Sequence, residues 1–155
     1  MKQYLIDFFK FNDWANKRII RAIKELPDKE NCLYLFSHLI TSQNKWLNRI
    51  MKGWENRGSP WYGDVYTAEE LETRWTKSLN KWLGFLETQT DESLETEIVY
   101  ESYGDGKKFK NKIREIAFQL NCHSVHHRAQ MARAIREQGL TPPSTDYIFT
   151  VIKKA

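Results

Sequence analysis

The sequence predicts an all-α protein, an antiparallel four-helix bundle with a short β-hairpin before the last long helix and a short C-terminal helix. Apolar residues recur at helical spacing in four long segments, whereas one short stretch alternates between apolar and polar residues as a strand does. Aromatic residues make up 14% of the 155 positions, which is enough ring surface for a substantial core. Because the sequence contains no repeat, low-complexity tract or linker, we expect a single domain over residues 1–155.

The first two helices are predicted from their apolar stripes. The first covers about residues 3–26 and ends at Pro27, which cannot continue a helix. The second covers about residues 28–51, and Asp28 is a residue type that caps helix N-termini. His38 lies at the edge of the second apolar stripe, a position from which its side chain can reach a neighbouring helix.

A loop and a third helix are predicted next. Glycines and a proline interrupt residues 53–66, and no helical or strand period fits them. Thr67 and Glu70 have the spacing of a capping box, and the apolar stripe that follows extends to about Gln89. The aromatic rings of the loop either cap the core or wall a pocket or a subunit interface. These rings belong to Trp54, Trp61, Tyr62 and Tyr66.

A hairpin, the last long helix and a short helix complete the predicted order. Residues 93–110 alternate between apolar and polar types around the turn residues 104–106, which indicates two strands. The fourth long helix covers about residues 111–138, and Gly139 is a suitable C-terminal stop. A short final helix is expected from about Tyr147.

Composition excludes several classes of function. The net charge of +4 comes from 24 basic and 20 acidic residues, and the basic excess is spread along the chain, with its densest run at Lys107, Lys108, Lys110 and Lys112. Without a basic face interleaved with aromatic residues, nucleic acid is not an expected partner. No run of about 20 apolar residues is present, so we expect no membrane span. The two cysteines, Cys32 and Cys122, form no disulfide framework, which indicates a reducing cytoplasm.

The distribution of histidine is the strongest functional signal. Three of the four histidines fall within five consecutive positions, and His123 and His127 stand four apart. On a helix that spacing separates the two side chains by about 40°, so both rings can reach one point. We predict that His38, far upstream, joins them around one metal ion. The alternative is that they are core histidines, but each ring nitrogen left without a partner would cost about 1–3 kcal/mol.

Three neutral imidazoles suit zinc or nickel first, with iron, cobalt or manganese as alternatives. Three protein ligands leave a position for water or substrate, which is the pattern of a catalytic site. His126 points about 100° away from His127 and is expected to face solvent or a partner subunit. A di-iron bundle is excluded because no glutamate stands three residues before a histidine, and a zinc-protease helix is excluded because Ser124 replaces its glutamate.

These motifs resemble the DinB-like superfamily of small bacterial metal-binding proteins, which includes YfiT-type proteins. Residues 123–130 match the characteristic H-x-x-x-H-R-G-Q segment of that family. Residues 35–39, with Trp46 downstream, match the segment that carries its first metal histidine. Residues 142–143 and 146–149 are similar to its usual C-terminal ending, so the resemblance spans essentially the whole chain.

The resemblance implies a fold, a site and a chemistry. It implies a four-helix bundle that is commonly dimeric, with His38, His123 and His127 as ligands of a metal completed by water. Characterised relatives include thiol-dependent transferases and isomerases that use a low-molecular-weight thiol. Two positions depart from the family pattern: Ala129 replaces a glycine, and Cys122 stands where an asparagine often precedes the first histidine. We expect Cys122 to be a buried, inert thiol or else a weak extra ligand.

Two functions follow from this site. The first is a metal-dependent hydrolase or thiol-dependent S-transferase that acts on a small electrophilic molecule, with no residue assigned a catalytic role. In it, Arg128 binds a carboxylate of the substrate or cofactor, and Gln130 orients a ligand or substrate. The alternative for Arg128 is a surface salt bridge. The second function is a non-catalytic stress-response module that binds metal or forms dimers. We expect a homodimer, and DNA binding has the least support.

Overall fold

The computed structural model describes residues 1–52, 61–101 and 106–153. Within these ranges the protein is mostly helical, with five α-helices, a one-turn 3₁₀ helix and one two-stranded antiparallel hairpin. None of the described helices has the length and hydropathy needed to cross a membrane. The helices are α1 (Lys2–Lys24), α2 (Glu30–Lys52), α3 (Leu71–Thr88), α4 (Ile113–Glu137) and α5 (Ile148–Val151), and the strands are β1 (Glu97–Glu101) and β2 (Lys108–Lys112).

The order of elements confirms the predicted helices and hairpin, but α3 begins at Leu71, four residues after Thr67, and α4 also begins later than predicted. The sequence predicts that the last long helix starts at about Asn111, but Asn111 pairs with Ile98 in the hairpin and α4 begins at Ile113. The Lys112 amide donates to the Glu115 carboxylate at 3.0 Å, so the residue that ends the strand pairing, opposite Glu97, also caps the helix. Strand pairing and capping together therefore set this boundary.

Two other local predictions are confirmed. The Thr67 amide donates to the Glu70 carboxylate at 3.1 Å, and the Glu70 amide donates to the Thr67 hydroxyl at 3.4 Å, which closes the capping box. Gly139 follows α4 with a φ of +80°, the left-handed conformation that ends many helices. The predicted loop and turn residues that lie outside the described ranges are Gly53, Trp54, Gly58, Pro60, Gly104 and Asp105.

Two apolar clusters form the core, one towards each end of the long helices. The first joins the first halves of α1 and α4 to the second halves of α2 and α3. The other joins the second halves of α1 and α4 to the first halves of α2 and α3. The predicted stripe of α3 crosses both clusters and is buried along its whole length. It consists of Leu71, Trp75, Leu79, Trp82 and Leu86.

The contacts between α1 and α4 show that these helices run in the same direction. The Asn12 side-chain amide donates to Asn121 Oδ1 at 2.6 Å, and the Asn16 amide donates to Ser124 Oγ at 2.8 Å. Residue numbers therefore rise together along the two helices, which is possible only in a parallel pair. The packing of α1 and α2 against both α3 and α4 is compatible with a four-helix bundle.

The helices α2 and α3 also run parallel. The rings of Phe36 and Trp75 lie 5.7 Å apart. About two turns further along both helices, the Trp82 indole donates to the Gln43 carbonyl at 2.9 Å. The predicted antiparallel arrangement is therefore wrong for two adjacent pairs, α1 with α4 and α2 with α3. A hydrophobic stripe has the same period in either direction, so its spacing does not specify the direction of packing.

The parallel pairing of α2 and α3 requires a long connection. A helix of 23 residues is about 35 Å long, and the chain must return over that length before α3 begins. The described end of the connection lies beside the middle of α2. The Trp61 carbonyl is 2.7 Å from His38 Nδ1, and the Tyr66 amide donates to Ser37 Oγ at 2.9 Å.

A layer of buried polar side chains separates the two apolar clusters. Each long helix contributes to it near its middle, so the layer crosses the whole core. We call it the polar layer, and each of its members is at most 6% exposed. Its members are Asn12, Asn16, Ser37, His38, Ser42, Gln43, Ser78, Asn121, Ser124, His127 and Arg128.

Replacing Trp82 with alanine is expected to lower the free energy of unfolding by about 3–5 kcal/mol, because a large ring leaves a cavity. Trp82 is 0% exposed and stacks on Phe9 with 5.3 Å between the ring centroids. Urea denaturation followed by circular dichroism measures the change. Tyr4 is 80% exposed, so Tyr4→Ala is the control and should change this free energy by less than about 0.5 kcal/mol. Equal losses in the two variants would contradict this account of the core.

Candidate metal centre

The structure brings together the three histidines that the sequence selects. His38 lies in α2, and His123 and His127 lie one turn apart in α4. Nε2 of His123 is 3.2 Å from Nε2 of His38 and 2.8 Å from Nε2 of His127. One ligand atom from each ring lies within 4.8 Å of the other two. Among the described residues, this trio is the group of side chains that could hold a metal ion.

Hydrogen bonds at the far side of two rings determine their tautomers. His38 Nδ1 is 2.7 Å from the Trp61 carbonyl oxygen, and His127 Nδ1 is 2.6 Å from Gln130 Oε1. Both oxygens only accept hydrogen bonds, so each Nδ1 carries the proton. In the neutral rings, the Nε2 atoms of His38 and His127 therefore hold lone pairs that face His123.

This arrangement leaves lone pairs facing one another. His123 Nε2 can donate one proton, and so it can satisfy His38 or His127 but not both with a well-directed bond. A cation between the three nitrogens would bind all the lone pairs. Ligand nitrogens about 2.05 Å from a metal are about 2.9 Å apart at right angles and about 3.3 Å apart in a tetrahedron. The separations of 3.2 and 2.8 Å are close to these two values.

The electrostatics of the site keep the imidazoles neutral. Burial, reinforced by the neighbouring histidines, lowers the pKa of His123 to about 4. Burial also lowers the pKa of His38 and of His127. Protonated rings could not bind a cation, so these shifts leave the nitrogen lone pairs available at neutral pH.

Aromatic rings form one wall of the site. Tyr62 stacks on His38 with 4.2 Å between the ring centroids, and Tyr34 stacks on Tyr62 with 5.0 Å between theirs. Of the two predicted roles for the loop aromatics, Tyr62 therefore walls a site, while Tyr66 packs against the core. Tyr34 stands four residues before His38 on α2, a spacing from which the sequence could have selected it.

Three residues near the histidines can be compared with the predictions made for them from the sequence. His126 is exposed, as predicted, with its ring 5.0 Å from that of His127. Cys122 is only half-buried, so the prediction of a buried thiol is wrong, and its sulfur is not part of the three-histidine group. Gln130 is exposed, and its Oε1 holds His127 in place.

Arg128 lies in the polar layer, on the side of α4 that faces α1. It is 3% exposed, which excludes the surface salt bridge that the sequence analysis left open. Its Nη1 donates to Asn12 Oδ1, to Asn16 Oδ1 at 3.1 Å and to Ser124 Oγ at 3.2 Å. The two asparagines stand four apart on the buried face of α1, a spacing in the sequence that indicates a buried polar contact.

One family model and two known proteins match parts or all of this chain. The sequence model of the DinB family matches residues 1–154. The chain is 25% identical over 159 residues to the uncharacterized protein YizA of Bacillus subtilis (strain 168), covering 96% of this chain and 97% of that protein. A stretch of 44 residues is 39% identical to the receptor-type guanylate cyclase Gyc76C of Drosophila melanogaster, covering 28% of this chain and 3% of that protein.

No solved structure matches the chain significantly. The short similarity to the guanylate cyclase involves too little of either protein to bear on the fold. The family match, in contrast, includes all four long helices and the three converging histidines. The chain belongs to the DinB family.

Proposed function

We propose that the protein is a metal-dependent enzyme that holds one divalent ion at His38, His123 and His127. It acts on a small electrophilic molecule, as a hydrolase or as a thiol-dependent S-transferase. The observation that carries the proposal is the convergence of three Nε2 atoms while two of the Nδ1 atoms are bonded to acceptors. Zinc or nickel suits three neutral imidazoles best, with iron, cobalt and manganese as alternatives.

A divalent ion in such a site lowers the pKa of a thiol or water molecule that binds beside the histidines. Three protein ligands fill three positions and leave room for that molecule, which is the arrangement of catalytic rather than structural sites. The Trp61 carbonyl and Gln130 orient two of the rings, so the nitrogen lone pairs point to one place before any ligand arrives.

The surroundings of the histidines support a small and partly apolar substrate. Tyr62 and Tyr34 are 50% and 41% exposed, and their stacked rings extend from His38 to the surface. Such rings offer a flat apolar face to a substrate and reduce the access of water to the histidines. A low-molecular-weight thiol could reach the same place from solvent, since His123 is only half-buried.

A second candidate is a non-catalytic metal-binding module. The observation that favours it is that His38 belongs to α2 while His123 and His127 belong to α4, so an ion would tether two helices that are distant in sequence. We also propose a homodimer in a reducing cytoplasm, supported by the resemblance to commonly dimeric relatives and by two free cysteines.

The variant His38→Ala is expected to lose its metal, because two ligands on one helix bind far more weakly than three. Elemental analysis of protein purified without added metal should give about one ion per chain for the wild type and less than about a tenth of that for the variant. His126→Ala is the matched control, since His126 is exposed and outside the trio, and it should keep its metal. Unchanged metal content in His38→Ala would rule out this site.

The variant Gln130→Leu is expected to weaken metal binding by about 10–100-fold without unfolding the protein, because the carboxamide fixes the proton of His127. Competition with a chromophoric chelator measures the affinity, and circular dichroism checks the fold. Gln119→Leu is the matched control, an exposed glutamine elsewhere on α4, and should bind metal as the wild type does. Equal affinities for the two variants would show that Gln130 does not orient the ligand.

Removing the metal with a chelator distinguishes the metal-dependent enzyme from the non-catalytic module, in which the ion only tethers α2 to α4. Both predict that metal at 100 times its Kd stabilises the fold by about 2.7 kcal/mol, which raises Tm by about 5–10 °C. Only the enzyme turns over a thiol with a model electrophile or hydrolyses a small ester, and this activity should stop on chelation and return with added metal. A metal-replete protein that is inert across thiols, electrophiles and esters, yet loses this stability on chelation, would favour the tether.

A further inference from the structure

A second concave site lies on the side of α4 away from the histidines. A groove with a volume of about 1030 Å³ runs between α1, α4 and the segment that precedes α5. None of the three histidines lines it. Its walls are mainly aromatic and aliphatic, which suits an apolar ligand. The main apolar contributors are Tyr4, Phe8, Phe11, Phe118, Val125 and Tyr147.

A buried cation borders this apolar groove. Arg128 is 3% exposed and lies on the groove wall, with its guanidinium 5.2 Å from the centroid of the Phe11 ring. All of its hydrogen bonds within the described residues come from Nη1, and the acceptors are the neutral side chains of Asn12, Asn16 and Ser124. Nε and Nη2 have no acceptor in that part of the chain.

A buried guanidinium with free donors favours an anion. Taking an ion out of water costs several kcal/mol unless a counter-charge or further hydrogen bonds compensate, and no carboxylate among the described residues pairs with Arg128. A planar carboxylate would match the free N–H groups of the guanidinium in a two-point contact.

The other charges around the groove leave an excess of positive charge. Arg136 also lines the groove, whereas Asp146 is the acidic residue among the described lining residues. The α-amino group of Met1, at one end of the groove, is paired with Asp91 at 3.1 Å. Two guanidinium groups against one carboxylate favour a ligand with one negative charge.

We propose that this groove binds an amphiphilic carboxylate of the fatty-acid type. The carboxylate binds the free N–H groups of Arg128, and the hydrocarbon chain lies along the aromatic wall between α1 and α4. This assigns to Arg128 the binding of a carboxylate, at a place separate from the histidine site. The proposal does not depend on whether the histidines hold a metal.

Isothermal titration of the full chain with decanoate and with decanol tests the proposal. We expect one decanoate per chain, bound at least tenfold more tightly than decanol, because the alcohol has the chain but not the charge. Arg128→Gln should lower the affinity for decanoate to that for decanol. Circular dichroism and urea denaturation show whether this variant is folded. Equal affinities for the two ligands in the wild type, or unchanged decanoate binding by folded Arg128→Gln, would overturn the proposal.

A second pair of variants keeps the test independent of the buried charge. Ala132 lines the groove, so Ala132→Trp fills it while Arg128 stays in place, and the binding of both ligands should be lost. Arg133, whose side chain is 79% exposed, does not line the groove, and Arg133→Trp should bind as the wild type does. Sedimentation of the same proteins checks the competing occupant: a wild-type dimer that Ala132→Trp dissociates, with no decanoate bound, would make the groove a subunit interface and overturn the proposal.

Discussion

The structure depends on the need to satisfy polar groups buried in the middle of the core. The polar layer interrupts two apolar clusters that would otherwise form one continuous core. A buried polar group without a partner costs about 1–3 kcal/mol. Helix registers that leave these side chains unpaired are therefore disfavoured relative to the register that pairs them. Hydrophobic packing stabilises the protein, while the polar layer selects the register.

The helix α4 contributes side chains to the polar layer on two sides, one facing α2 and one facing α1. His127 faces α2, and the next residue, Arg128, faces α1, because consecutive side chains on a helix are about 100° apart. The bonds from Arg128 to Asn12 and Asn16 therefore also fix the rotation of α4 that directs His127 at His38. A change on the α1 side would therefore act on the histidines through α4, because none of their hydrogen bonds among the described residues goes to α1.

Much of the fold and site could be predicted from local pattern. The buried stripe of α3, the capping box at Thr67, the stop at Gly139 and the histidine trio all depend on residue type and spacing. The direction of the helices could not, because an apolar stripe has the same period in both directions. The hydrogen bond from His38 Nδ1 to the Trp61 carbonyl could not be predicted either. Every residue carries a carbonyl, and only the folded chain shows which one meets an imidazole.

The direction of the helices also explains why the site has an aromatic wall. Parallel α2 and α3 require a chain return, and its described end lies on the face of α2 that carries His38. Closing a connection over residues 53–70 costs about 2–3 kcal/mol. The bonds from this segment to His38 and Ser37 and the stacking of Tyr62 contribute about 0.5–1.5 kcal/mol each, enough to offset that cost. The contacts that hold the segment between α2 and α3 against α2 therefore also orient His38 and cover the candidate metal site. The parallel direction of α2 and α3 and the geometry of the site depend on the same contacts at His38.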